Sequence, residues 1–194
     1  MVSAIQLFFR TGSIPSTWQR TFITLIPKRP DASEPGHFRP ISLCNTLYKI
    51  VAKVLQLRMG ALLPRLVSPE QGAFVGGRSI SDNILIAQEF MHDLGRAPSR
   101  RSLMAVKVDM ERAYDRMDWR FVEFSLLSFG FHSCWVWWIM GCVWGPSFAI
   151  LVNGSPTPFF ASSTGLRQGC PLSPYLFILC ADSLSRALRA SASA

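Results

Sequence analysis

Residues 134–152 run for nineteen positions without a charge. A stretch of that length and polarity has two resting places, a protein core or a lipid bilayer. Three residues inside it, Gly141, Gly145 and Pro146, break a continuous helix, and an Asn153-Gly154 pair follows at once. Asn-Gly is a hairpin-turn signature. The stretch therefore predicts a buried helix over residues 133–144, then a strand over Ser147–Val152, and no membrane span. Such a core needs neighbours. The chain has 194 residues, enough for a domain of ordinary size, and 49% of them are apolar. Only 16% are charged, against about 25% in an average domain. Disorder is excluded, and the thin charge cover leaves apolar surface for a partner or for further protein.

The rest of the chain alternates helix and strand signals. Thr21 to Ile26 is short and β-branched, a strand. Residues 27–40 hold four prolines and Gly36, a loop. Residues 43–63 carry Leu47, Ile50, Val51, Val54 and Leu55 at helical spacing. Ser81, Asp82 and Asn83 are cap candidates for a helix bearing Ile84, Leu85, Gln88, Met91 and His92. Residues 103–110 read as a strand, with Met104, Val106, Val108 and Met110 on one face and Lys107 and Asp109 on the other. Helices are expected over 119–129 and 174–189, and a hairpin over 147–161. Helices around a small antiparallel sheet make the class α+β.

Charge is uneven. The net charge is +8 and sixteen of the twenty basic residues are arginine. Residues 1–101 carry net +7, residues 102–194 net +1. A polyanionic partner fits that balance. Five scattered cysteines with no CxxC pair predict neither a zinc site nor a disulfide framework.

Four constellations carry chemistry. In Lys107-Val-Asp-Met-Glu-Arg-Ala-Tyr-Asp115, Asp109 ends the expected strand on the polar face, where a carboxylate can ligate a hard cation. The alternative is a solvated acid–base cluster. In Gly165-Leu-Arg-Gln-Gly169, two glycines let backbone approach a flat ligand or a phosphate, or simply turn the chain into a helix. Lys28 and Arg39 flank the proline loop, which can fold as a hairpin and clamp phosphates, or leave both cations in solvent. Phe74 and Arg78, beside Gly76 and Gly77, can grip a nucleic-acid strand, or lead into a capped helix.

Taken together and in order, LIPK, FRPISL, YKIVAKVLQLR, QGAFVGGRSISDNI, KVDMERAYDRMDW, VNGSP and GLRQGCPLSPYLF resemble the reverse transcriptase domain of non-LTR (LINE-type) retrotransposons, of the kind common in plants. The resemblance covers residues 8–188. It implies a right-hand polymerase fold, with fingers over 1–101 and an incomplete palm over 102–194. It implies RNA-directed DNA synthesis, with RNA template, DNA primer and dNTP as partners and Mg²⁺ or Mn²⁺ as cofactor. Asp109 matches the first catalytic aspartate of the family and the Met110 carbonyl its backbone metal contact. Tyr114 matches the residue that excludes a ribose 2′-hydroxyl. Gln168 and Gly169 match the pair lining the nucleotide, Lys28 and Arg39 the cations on the triphosphate, and Arg78 a template contact. Asp115 and Asp118 are expected to pair locally with neighbouring arginines.

One departure stands out. The family carries an x-Asp-Asp hairpin after the Gly-Leu-Arg-Gln-Gly loop, and this sequence has no adjacent Asp-Asp pair. Ala181-Asp182-Ser183 is rejected because it falls on an apolar helix. The expectation is a truncated domain lacking palm and thumb segments, inactive alone and holding no stable metal pair, or else a nucleic-acid-binding remnant without chemistry. If it acts as the family does, it acts in the nucleus.

Overall fold

The structure is a computed structural model that describes residues 1–96 and 104–192. The charge-free stretch divides at 144–145: Trp144, already extended at ψ 151°, ends the helix, and Gly145, at φ 69°, leads into the strand. Helix α7, Ser133–Val143, precedes it and strand β3, Ser147–Val152, follows. β3 lies inside a five-stranded sheet of order β2-β1-β3-β4, with β5 also on β3. Strand β1 is Arg20–Pro27, β2 Phe38–Cys44, β4 Ser155–Pro156 and β5 Phe160–Ala161. β1 and β3 pair in parallel, from Arg20 opposite Ser147 to Ile23 opposite Ile150, while the other pairs are antiparallel. The sheet is therefore mixed where an antiparallel one was expected. It also draws strands from both sides of residue 101. Among the described residues, no helix is long and apolar enough to cross a membrane.

β2 is the strand that the prolines hid. Pro40 lies within it, opposite Leu25. Proline cannot donate to a ladder and is tolerated at an edge, and β2 is the edge of the sheet. The hairpin closes through a 3₁₀ turn, Pro35–His37, where Lys28 N–H donates to the His37 carbonyl at 2.8 Å.

The helices pack mainly against one another. Helix α1 is Val2–Thr11, α2 Ser16–Gln19, α3 Thr46–Gly60, α4 Leu63–Leu66, α5 Ile80–Arg96, α6 Trp119–Ser128 and α8 Ser173–Ala192. α3 starts where Asn45 accepts from Leu47 N–H at 2.8 Å. Its buried stripe is Tyr48, Val51, Ala52, Leu55, Gln56 and Met59, one residue round the helix from the apolar set read from sequence. It joins Val122, Leu126, Val136, Ile139, Met140, Leu172, Leu176 and Leu179 in one core. Asp118 caps α6 by accepting from Arg120 and Phe121 N–H, at 2.6 and 3.2 Å. That capping replaces the local ion pair expected of it.

Two expectations fail. Residues 104–110 form no strand, and Met104, Val106, Val108 and Met110 are all exposed. Alternation shows only that a segment suits a sheet; a ladder also needs a neighbour to receive its N–H and C=O groups. Leu103, the first residue of that expected strand, and the 101/102 boundary lie outside the described residues. Helix α5 does form, but it is capped by Ser79, whose hydroxyl accepts from Ser81 N–H at 3.1 Å. Ser81, Asp82 and Asn83 sit inside its first turn, and no residue of α5 is buried.

Candidate nucleotide and nucleic-acid site

The β1–β2 hairpin bends over the turn that follows residue 110, and an open cleft of about 600 Å³ lies between them. Lys28 and Arg39 line it from the hairpin. Asp109, Met110, Glu111, Arg112 and Asp115 line it from the turn, and Gln168 completes it. Three cations thus meet three carboxylates around one space. Lys28 Nζ donates to the Gly36 carbonyl at 3.0 Å. Glu111 is the acid that pairs locally, with Arg116 at 3.3 Å and Arg112 at 3.8 Å. Asp115 instead accepts from Gln168 Nε2, at 3.4 Å. Among the described residues, Asp109 and Arg39 enter no ion pair.

The loop at 164–169 holds the cleft together. Gly165 N–H donates to the Met117 carbonyl at 2.8 Å and Leu166 N–H to the Tyr114 carbonyl at 2.7 Å. Trp119 Nε1 donates to the Gly165 carbonyl at 2.8 Å. On the other side Ser42 N–H donates to the Gln168 carbonyl at 2.7 Å. The loop is therefore bonded both to the turn and to β2. Its glycines serve these contacts. At Gly165, φ is 94° and a Cβ would lie 3.0 Å from the Asp115 carbonyl oxygen. At Gly169, φ is 107° and a Cβ would lie 3.0 Å from the Ser42 carbonyl oxygen. Close backbone approach was expected of them, but toward a ligand; the structure directs it at protein.

Tyr114 lies in a neighbouring cavity of about 310 Å³ with Arg112, Gln168, Gly169 and Pro174. Its ring stacks on Phe177 at 5.2 Å. Burial pushes its hydroxyl pKa up, with Cys170 adding to the rise, so the phenol is neutral at ordinary pH.

Arg78 is elsewhere. Its guanidinium donates to the carbonyls of Ser68, Gln71, Pro64 and Val67, at 2.6, 2.9, 3.0 and 3.2 Å. It braces the loop after α4 and does not line the cleft. Arg78→Ala is expected to lower the urea midpoint by the equivalent of about 2 kcal/mol, because four carbonyls lose a charged donor. Lysine, with one ammonium in place of a fork, should restore less than half of that.

Asp182 is also away from the cleft. It is buried on α8, accepts from Ser68 N–H at 2.9 Å and pairs with Arg186 at 2.8 Å. Its rejection as a catalytic carboxylate agrees with this placement. Sequence reasoning missed Asp115 as a wall of the cleft and Trp119 as a brace of Gly165. Nothing local marks either, since each acts on residues more than forty positions away.

As to metal, no group of three or more His, Cys, Asp or Glu side chains is close enough to hold an ion, among the described residues. Asp109, Glu111 and Asp115 share the cleft without forming such a group. The residues present therefore do not fit a metal pair.

Known proteins agree on the family. Residues 26–193 match the family described as reverse transcriptase (RNA-dependent DNA polymerase). The chain is 33% identical over 181 residues to the "Transposon TX1 uncharacterized 149 kDa protein" of Xenopus laevis, covering 93% of this chain and 14% of that protein. It is 27% identical over 188 residues to the "Retrovirus-related Pol polyprotein from type-1 retrotransposable element R2" of Popillia japonica, covering 96% and 26%. It is 26% identical over 188 residues to the corresponding type-2 R2DM polyprotein of Drosophila melanogaster, covering 97% and 17%. The chain thus spans between 14% and 26% of the length of these relatives. A match over most of its residues, with similar proteins in non-LTR retrotransposons, shows that the chain belongs to the reverse transcriptase family.

Proposed function

We propose that this chain is the nucleotide- and template-facing part of an RNA-directed DNA polymerase of LINE type. Its architecture would be a right hand, with fingers over 1–101 and part of the palm over 102–194. The observation that carries this reading is the cleft in which the hairpin brings Lys28 and Arg39 to the same space as Asp109, Met110 and Gln168. Lys28 and Arg39 would hold the triphosphate of a dNTP, a polyanion that a fork and a point charge can share. Gln168, steadied by Asp115, would face the nucleotide beside Gly169. Tyr114, fixed by its stack on Phe177, would exclude a ribose 2′-hydroxyl by bulk. Asp109 and the Met110 carbonyl would supply oxygen donors for a divalent ion, Mg²⁺ or Mn²⁺, the kind the family generally uses.

One free carboxylate does not complete that metal set. The chain by itself is therefore expected to bind RNA and dNTP without extending a primer. Primer extension with Mg²⁺ or Mn²⁺ checks this. Template-dependent product that disappears in Asp109→Ala would overturn the inactivity. The binding site is checked separately, by titrating a labelled dNTP. The double variant Lys28→Ala/Arg39→Ala should weaken binding about tenfold or more, on the order of two lost charge-assisted contacts. Unchanged affinity would sink the assignment of the cleft.

A further inference from the structure

His37 closes the turn of the β1–β2 hairpin, and its side chain is 21% exposed. Its ring Nδ1 accepts from two backbone amides, Glu34 N–H at 3.2 Å and Ser33 N–H at 3.4 Å. That acceptor role assigns the hydrogen of the neutral ring to Nε2. The Arg29 guanidinium lies against the same ring, its Nη2 2.9 Å from Nδ1 and 2.6 Å from Nε2. Arginine only donates, so the lone pair that it meets is also that of Nδ1.

The turn so closed is a wall of the cleft. Pro35 and Gly36 line the cleft beside Lys28 and Arg39. The Gly36 carbonyl takes Lys28 Nζ at 3.0 Å. From the facing turn Arg112 approaches the same residue, since a Cβ at Gly36 would lie 3.8 Å from Arg112 Nη2. The β1–β2 ladder ends at Pro27 opposite Phe38. Beyond that pair the turn is held by its own hydrogen bonds, and the His37 ring accepts two of them.

The charges around the ring are those of Arg29, Asp31, Glu34, Lys28 and Arg112. Arg29 pairs with Asp31 at 3.3 Å, and the exposed Glu34 carboxylate lies 3.7 Å from His37 Nε2. Lys28 and Arg112 reach the neighbouring Gly36. Histidine is the side chain that gains a proton between about pH 8 and pH 5. On this ring the proton goes to Nδ1. It turns an acceptor into a donor that faces two N–H groups, and it sets a second positive charge beside Arg29. Attraction to Glu34 does not restore the two lost bonds.

We propose that His37 is a positioning residue for the triphosphate grip: its neutral ring shapes the turn that presents Lys28, and its protonation loosens that turn and weakens the grip. The proposal rests on the reading of Lys28 and Arg39 as triphosphate ligands. An ammonium has three donors, so Lys28 can keep the Gly36 carbonyl and still reach a phosphate.

Titration of the full chain with a labelled dNTP, at about pH 7.5 and about pH 5.5, tests this. The unmodified chain is compared with His37→Asn and His37→Ala. Asparagine Oδ1 can take the place of Nδ1 and accept the same amides, and it does not titrate. The triphosphate also gains a proton in this range, but that change is common to all three proteins. His37→Asn should bind within about twofold of the unmodified chain at the higher pH, and His37→Ala on the order of three- to tenfold more weakly. On acidification the unmodified chain should lose on the order of three- to tenfold more affinity than His37→Asn. Equal losses in those two proteins would overturn the proposal. So would His37→Ala binding as well as the unmodified chain, or His37→Asn binding no better than His37→Ala. The double variant Lys28→Ala/Arg39→Ala tells the two possible failures apart. If it still weakens binding, the cleft stands and only the role of His37 falls. If it does not, the cleft assignment falls and the role of His37 with it.

Discussion

Asp182→Ala is expected to destabilise the chain by about 3 kcal/mol, since it strands a buried backbone donor and removes a charged acceptor. Asp182 joins two parts of the chain more than a hundred residues apart. Its Oδ1 takes the Ser68 N–H and its Oδ2 takes Arg186 Nε. Around it Arg186 also reaches the Leu66 carbonyl, and Arg189 reaches Glu70 and the Ser68 hydroxyl. The result is a clasp between α8 and the loop after α4. Arg186 is half-exposed and can return to water, so the penalty falls mainly on the Ser68 amide. Asp182→Asn keeps an oxygen for that amide and should cost about 1 kcal/mol.

The same carboxylate sets a pH dependence. Burial alone would raise its pKa, but hydrogen bonds from Ser68 and Arg186 outweigh burial and lower it below the ordinary 3.8. A depressed folded pKa means the stabilisation is complete above the unfolded value and is lost as pH falls through the folded one. The clasp should therefore hold at neutral pH, begin to weaken below about pH 4 and be lost only as the pH falls through the depressed folded value. Denaturant midpoints from pH 7 to pH 3 measure this. The loss on acidification should be smaller in Asp182→Asn, and an equal loss in both proteins would show that other carboxylates cause it.

Gly141→Ala should be comparably damaging, about 3 kcal/mol or more. A methyl group at 141 would collide with the carbonyl oxygen of Gly12, backbone against side chain, with Phe8 also within contact. Gly12 is itself the left-handed cap of α1, at φ 61°, and the Trp137 ring occupies the place of any side chain there. Neither partner can yield cheaply. α1 would have to lift from α7, taking buried Phe8 with it. Gly95→Ala is the matched control. It lies in α5 with open space around it and a helical backbone, so alanine should stabilise by about 0.5–1 kcal/mol through helix propensity. Thermal midpoints that fall alike for both variants would contradict the close approach.

Most helices were legible because their signals are local. The period of residues 46–60, the Pro174 start of α8 and the Asn153-Gly154 turn each need only a few neighbouring residues to act. The expected and observed bounds of α6, α7 and α8 differ by no more than a turn. What escaped depends on distant partners. β2 was masked by Pro40, harmless only because the strand is an edge. The alternating stripe from Met104 to Met110 met no ladder. The apolar side of α5 met no core. The candidate site divides in the same way. Motif order named Lys28, Arg39, Asp109, Met110, Tyr114, Gln168 and Gly169, and hairpin pairing brought the first two to the others. Asp115 and Trp119 could be found only once the 164–169 loop had folded onto the turn.

The arginines mark where one kind of information stops. The order of several motifs was enough to name the family, and the uncharged run at 134–152 pointed inward because it is poorly placed in water; the structure buries Val136, Ile139, Met140, Cys142, Val143 and Ala149 of it and leaves Trp137, Trp144 and Val152 exposed. The sequence also placed a +7 excess in the first 101 residues. How each cation is used depends on its neighbours in space. Arg39 stays exposed at the cleft, Arg78 is committed to four carbonyls of α4 and the loop after it, and Arg167 is buried over Tyr48 with one edge unpartnered among the described residues. Their covalent chemistry is identical. What differs is the set of carbonyls, rings and cavities that residues far along the chain bring to each guanidinium, and a linear sequence does not specify those neighbours locally.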